Sequence, residues 1–92
     1  MEEQASAETK ILNKYGFHVR PSTQFMQMAR DYQAEITVEV ENLRADGKSI
    51  MQLMALGAMQ DAVVKITAKG PDAEEAVRAL VTLIQSRFGG ID

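Results

Sequence analysis

The only histidine of the 92-residue chain, His18, stands just before Arg20 and Pro21. A neutral imidazole is a usable nucleophile near pH 7. Proline is tolerated in the first turn of a helix, so Pro21 predicts a helix start beside His18. Helix N-termini have free N–H groups and partial positive charge, which attract anions. An arginine guanidinium can bind two oxygens of one phosphate at once. From these residues alone a solvated loop histidine without a role stays the commoner case, and a phosphoryl group carried on His18 is the alternative that the helix start allows.

Several other chemistries lack the residues that they need. The chain has no cysteine, which excludes disulfides, thiolate metal sites and a cysteine nucleophile, and a lone histidine makes no metal site. The net charge is −3 and no run of Lys and Arg occurs, which argues against nucleic-acid binding. Residues 1–7 do not resemble a signal peptide and no apolar run could span a bilayer, so we expect a cytoplasmic protein without membrane insertion. No cofactor is expected.

Hydrophobic periodicity divides the chain into alternating elements of one domain, residues 1–92. Strands are predicted at residues 8–12, 36–40, 43–45 and 62–68. Helices are predicted at residues 21–32, 50–56 and 72–87. Each strand has one apolar and one polar face, which suits an open sheet that helices cover on one side. We therefore predict an α+β open-faced two-layer sandwich, β-α-β-β-α-β-α, with a four-stranded antiparallel sheet.

Ser49 is the second residue with a chemical role to consider. It lies three residues before Gln52, the spacing of a capping box, and so predicts the N-cap of the short helix over residues 50–56. Gly57 follows as the helix terminator. A phosphate at such a position is well tolerated, so capping does not exclude regulation by phosphorylation.

The same short helix is apolar on more than one face. Its leucines can point into the core, and Ile50, Met51 and Met54 then cannot all be buried. One interpretation is a well-covered helix. The other is an exposed docking patch near His18 that Phe17 completes, since methionine adapts to several partners.

Two segments resemble the HPr family, the histidine-containing phosphocarriers of the bacterial sugar phosphotransferase system. Residues 13–22 contain Gly-Phe-His-Val-Arg-Pro-Ser, similar to the family's active-site pattern Gly-Leu-His-Ala-Arg-Pro-Ala. Residues 48–57 are similar to the regulatory segment of the Gram-positive type, and Phe88-Gly89 also fits. The chain departs from the family patterns at Phe17, Val19, Ser22 and Gln52.

The resemblance implies that His18 is phosphorylated on Nδ1 and that Arg20 assists. Enzyme I, charged from phosphoenolpyruvate, would be the donor, and IIA domains of sugar permeases the acceptors. A dedicated HPr kinase/phosphorylase could modify Ser49. Such a carrier passes on phosphoryl groups stoichiometrically and is not an autonomous enzyme. The residues expected to contact partners are Phe17, Pro21, Ile50, Met51 and Met54.

Two alternatives to a sugar-transport carrier remain open at this point. One is a purely regulatory HPr-like protein of carbon or nitrogen metabolism. The other is a non-catalytic α+β module that binds an anion or a partner at the helix start, without phosphorylation.

Overall fold

The computed structural model describes residues 3–91, and in this range the strands form a four-stranded antiparallel sheet in the order β1-β4-β2-β3. The strands are β1 (Gln4–Lys10), β2 (Glu35–Val40), β3 (Leu43–Asp46) and β4 (Val63–Lys69). The helices are α1 (Val19–Arg30), α2 (Ile50–Ala55), α3 (Ala73–Gln85) and a last short turn, α4 (Arg87–Gly90). The predicted fold class and element order are confirmed.

Alternation along the two central strands decides which face of the sheet the helices cover. Every second side chain of β2 and β4 is apolar and buried, as the period of two requires. These side chains are Ile36, Val38, Val40, Val64, Ile66 and Ala68. They form one core with the buried stripes of the helices, which include Phe25, Ala29, Leu53, Val77, Leu80 and Ile84. Burial of this apolar surface is the main force that holds the two layers together.

The opposite face of the sheet has a row of charged side chains in which acidic and basic residues alternate from strand to strand. Glu8 lies opposite Lys65, Lys65 opposite Glu39, and Glu39 opposite Arg44, so the signs alternate across all four strands. Arg44 Nη2 lies 3.9 Å from Glu39 Oε2. Opposite charges directly across a strand pair contribute about 0.2–1 kcal/mol, so this face is stable in water without a covering layer.

The first strand differs from its prediction. Residues 8–12 were expected, but β1 (Gln4–Lys10) starts and ends earlier, and all seven of its residues pair with β4. The segment before Glu8 alternates alanine with polar residues, and alanine is only a weak apolar signal. Pairing with a central strand overrides that weak local preference. Ile11 still joins the core, and its N–H donates to the Ala62 carbonyl at 2.9 Å.

Two helices also differ from their predicted limits. The helix expected over residues 21–32 begins at Val19 and ends at Arg30, with Pro21 in its first turn as predicted. The helix expected over residues 72–87 ends at Gln85, because Arg87 and Phe88 adopt left-handed backbone with φ of 57° and 53°. This turn returns the Phe88 side chain to the core, where it is buried.

Asp72 connects the start of α3 to the loop between α1 and β2. Its Oδ2 accepts from the Gln33 N–H at 2.8 Å, and its Oδ1 accepts from the Ala34 N–H at 2.9 Å. The hydrogen bond from Gln33 is the largest cause of a lowered pKa of the Asp72 carboxyl, with that from Ala34 and the charge of Lys48 adding to it. The carboxylate therefore helps to fix the start of α3 against the loop that leads into β2.

Candidate functional site

His18 is the N-cap residue of α1, and its side chain is partly exposed. Its backbone is extended, with φ −82° and ψ −170°, and its side chain caps no helical N–H. The ring is half-buried, and its Nε2 is fully enclosed without a hydrogen-bond partner within residues 3–91. A reactant cannot reach Nε2 in this conformation.

The helix start behind His18 offers two backbone donors. The N–H groups of Val19 and Arg20 donate to no acceptor among the described residues. Pro21 has no N–H, and the Ser22 N–H donates to the His18 carbonyl at 3.0 Å. The two free donors therefore belong to the residues that directly follow His18, at the positive end of the helix dipole. An anionic group on the ring would meet an anion site of the usual helix-start kind.

Arg20 adds a full positive charge to this helix start. Its side chain is exposed and forms no ion pair in the described part of the chain. The first turn of α1 also has no acidic residue that could compete with an incoming anion. The guanidinium is thus available to bind phosphate oxygens.

The loop before His18 is held by close packing. Gly16 has φ +60°, and a Cβ atom there would lie only 1.8 Å from the Ala58 carbonyl oxygen. The next N–H, that of Phe17, donates to this same oxygen at 3.1 Å. The Phe17 ring packs edge-on against Phe25 and Phe88, with centroids 5.4 and 5.8 Å away. The loop is therefore fixed from the core below and from the segment after α2.

Two residues expected to contact partners are buried. Phe17 is only 4% exposed, so its prediction as an exposed contact residue is wrong: the aromatic core takes its ring. Pro21 is buried as well and shapes the helix start from inside. The exposed apolar residues beside His18 are instead Tyr15 and Val19, 52% and 57% exposed. The Tyr15 ring also packs edge-on against the His18 ring, with centroids 6.2 Å apart. Sequence reasoning missed Tyr15, although its position three residues before His18 could have indicated it.

The methionines of α2 are exposed, which favours the patch interpretation of this helix over the well-covered one. Met51 and Met54 are 83% and 40% exposed, and Ile50 is half-buried. Met59, which sequence reasoning missed, is 51% exposed in the segment that hydrogen-bonds to the His18 loop. Because α2 also packs against α1, this apolar surface and the helix start lie on neighbouring elements.

Ser49 forms half of the predicted capping box. Its Oγ accepts from the Gln52 N–H at 3.2 Å, which confirms the N-cap. The other half is wrong, since Gln52 Oε1 accepts from the Asp46 N–H at 2.8 Å. The Ser49 N–H instead donates to the Asp46 carbonyl. The Asp46 N–H at the end of β3 thus takes the Gln52 side chain that a capping box would bring to the Ser49 N–H.

Neither a metal site nor a membrane span is found in the described range. Within residues 3–91, no three His, Cys, Asp or Glu side chains come together as ligands. None of the helices in that range combines the length and the apolar character that crossing a bilayer requires.

Comparison with known proteins agrees with this geometry. Residues 5–86 match the family model described as PTS HPr component phosphorylation site. The chain is 42% identical over 80 residues to the phosphocarrier protein HPr of Neisseria meningitidis, an alignment that covers 87% of this chain and 90% of that one. It is similar to the crystal structure of HPr-C-His from Thermoanaerobacter tengcongensis, with TM-score 0.90, 45% identity and coverage of 94% and 97%.

A longer relative matches over one part only. A Salmonella typhimurium multiphosphoryl transfer protein is 34% identical over 87 residues, which are 91% of this chain and 23% of that protein. The matches to HPr proteins, by contrast, extend over nearly the full length of both chains. The chain belongs to the HPr family, the phosphocarrier proteins of the phosphotransferase system.

Proposed function

We propose that this phosphocarrier accepts its phosphoryl group on Nδ1 of His18 and passes it on from there. The observation that carries the proposal is the combination of an enclosed Nε2 with two unbonded N–H groups directly after the ring. The first selects the nitrogen, and the second supplies donors for phosphate oxygens where charge must be stabilised. Arg20 is the additional cation.

The transfer needs no acid–base machinery of its own. The proposed step starts from the neutral ring with the proton on Nε2 and the lone pair on Nδ1. A bond forms between Nδ1 and phosphorus, while the bond between phosphorus and the donor's leaving atom breaks. The proton stays on Nε2, so the reverse process can hand the phosphoryl group to the next acceptor. Phosphoryl transfer depends mainly on positioning and charge stabilisation, which suits a small carrier that acts stoichiometrically and not as an autonomous enzyme.

Enzyme I is the proposed donor and IIA domains of sugar permeases are the proposed acceptors. The family's role supports both, as does the name of the Salmonella relative, a multiphosphoryl transfer protein. The surface proposed for docking consists of exposed side chains near the helix start and on α2. These are Tyr15, Val19, Met51, Met54 and Met59, with half-buried Ile50. The proposal includes a cytoplasmic location and a single domain over residues 1–92.

The test is incubation of the full chain with Enzyme I and phosphoenolpyruvate, followed by intact-mass measurement. The expected result is a gain of one phosphoryl group that acid removes and base does not. His18→Gln should gain nothing. A label that persists in His18→Gln would overturn the assignment, and no gain in the wild-type chain would favour the non-phosphorylated binding module instead.

A regulatory role for Ser49 is the second part of the proposal. Ser49 is half-buried at the N-cap of α2, the helix with the exposed methionines, so phosphorylation would add about two negative charges beside the docking surface. A purified HPr kinase/phosphorylase with ATP should modify the wild-type chain and Ser86→Ala, whose serine also caps a turn, but not Ser49→Ala. The modified chain should accept phosphate from Enzyme I more slowly. Modification of Ser49→Ala, or an unchanged acceptance rate, would contradict the proposal.

A further inference from the structure

The peptide bond between Phe17 and His18 is held at both of its polar ends. Its carbonyl oxygen accepts from the hydroxyl of Ser22 at 3.0 Å. Its N–H donates to the Gly16 carbonyl, also at 3.0 Å. This peptide directly precedes the His18 Cα, so its plane sets the direction in which the imidazole leaves the backbone.

Ser22 reaches the loop from inside α1. It is fully buried, although serine is usually exposed. In the described residues no backbone N–H donates to the Phe17 carbonyl, so the Ser22 hydroxyl is its partner. A buried carbonyl without a donor costs free energy, and the hydroxyl therefore disfavours rotation of this peptide. The Ser22 N–H holds the next carbonyl, that of His18, so one residue fixes two successive peptides.

Asn13 braces the other end from the opposite side of the loop. It is 1% exposed, and its Nδ2 donates to the Gly16 carbonyl at 2.9 Å. This is the same oxygen that accepts from the His18 N–H. The acceptor of the His18 amide is thus itself held in place by a buried side chain.

We propose that Ser22 and Asn13 are positioning residues that hold the His18 ring and the amides after it in the geometry for phosphoryl transfer. The inference rests on the proposed function of His18 and adds to it the parts that preorganise the site. Preorganised donors avoid the cost of reorganisation at the moment of transfer. Neither side chain touches the phosphoryl group, since both lie buried behind the loop.

The test compares Ser22→Ala with Thr23→Ala as substrates of Enzyme I. Thr23 is the matched control, because its hydroxyl also donates to a backbone carbonyl, that of Val19 at 2.8 Å, but within the helix. Alanine is the residue of the HPr pattern at position 22, so Ser22→Ala should fold. Loss of one hydrogen bond that acts in transfer should lower kcat about fivefold with an unchanged KM, while Thr23→Ala keeps the wild-type rate. Asn13→Ala should also lower kcat, and Ser22→Ala should then slow it less than in the wild-type chain, since both act on one peptide.

Amide hydrogen exchange of His18 is the second readout and needs no partner. Ser22→Ala should speed this exchange about fivefold, because the peptide becomes freer to turn, and Thr23→Ala should not. If the wild-type chain accepts phosphate and Ser22→Ala accepts it equally fast, the positioning role is overturned while the proposed function stands. If the wild-type chain accepts none, the proposed function fails and the positioning role fails with it, whereas equal His18 exchange in the wild-type chain and Ser22→Ala overturns only the inference.

Discussion

Gly16→Ala should damage both the stability and the activity of this protein. An alanine at φ +60° costs about 1–2 kcal/mol relative to glycine. Its Cβ would lie 1.8 Å from the Ala58 carbonyl oxygen, so the backbone must shift, which costs about 1–3 kcal/mol more. For a domain of this size each kcal/mol lowers Tm by about 4–8 °C, so we expect a drop of at least about 8 °C. The shift also breaks the hydrogen bond from Phe17 to Ala58.

Gly57→Ala isolates the steric part of this effect. Gly57 has φ +66°, almost the same backbone, but beyond its chain neighbours no atom lies within 4 Å of the position that a Cβ would take. The conformational penalty is therefore shared, and the difference between the two variants reports the close approach at Ala58. Gly57→Ala should lower Tm by several degrees less than Gly16→Ala and keep its phosphorylation rate. Gly16→Ala moves the loop by more than about 1 Å, and a misplacement of that size can cost about 100-fold in rate.

Thermal unfolding and the initial rate of phosphorylation by Enzyme I measure the two effects separately. The reasoning fails if Gly16→Ala and Gly57→Ala have the same Tm and the same rate. Equal Tm with a slower Gly16→Ala would mean that the loop relaxes at little cost in stability but loses its geometry.

Three further variants test other parts of the structure. Phe17→Ala removes a buried ring between two aromatic neighbours and should destabilise the fold by about 3–5 kcal/mol in urea unfolding; a cost under about 1 kcal/mol would contradict its burial. Arg20→Gln should slow phosphorylation about tenfold, the worth of a charged hydrogen bond to phosphate, with Tm unchanged because the side chain is exposed; an unchanged rate would remove Arg20 from the site. Asp72 has a folded pKa below its unfolded one, so its contribution to stability is complete above about pH 4 and disappears as the pH falls through the folded value. Asp72→Asn should therefore lose less stability than the wild-type chain on acidification below about pH 4 in urea titrations, and parallel curves would show that the carboxylate is not linked to folding.

The sequence predicted the parts of this fold that are locally encoded. The strand with Ile36, Val38 and Val40 has strict alternation, and its hairpin partner follows a short turn, so both were found. The start of β1 was missed because its alternating apolar residues are the small Ala5 and Ala7, and pairing with β4, distant along the chain, stabilises the strand. The local sequence pattern does not indicate a pairing strand that is distant along the chain.

The position of the candidate site at a helix start was predictable from the sequence, but the orientation of its loop was not. The residue types around His18 indicated an anion site at a helix start. The N–H groups of Val19 and Arg20, which directly follow His18, have no acceptor among the described residues, as such a site requires. The side of the loop on which Phe17 lies could not be read from its place next to His18, because the tight turn at Gly16 and the aromatic core decide it. The competition of Asp46 for Gln52 was equally hidden, since it depends on how β3 ends.

Long-range proton–nitrogen correlation NMR of the phosphorylated, 15N-labelled protein is the most direct test of the central claim. Long-range couplings of the His18 ring protons distinguish its two nitrogens, and coupling to phosphorus identifies the substituted one. The account predicts phosphorus on Nδ1 and a proton on the enclosed Nε2. Phosphorus on Nε2, or on any residue other than His18, would contradict it.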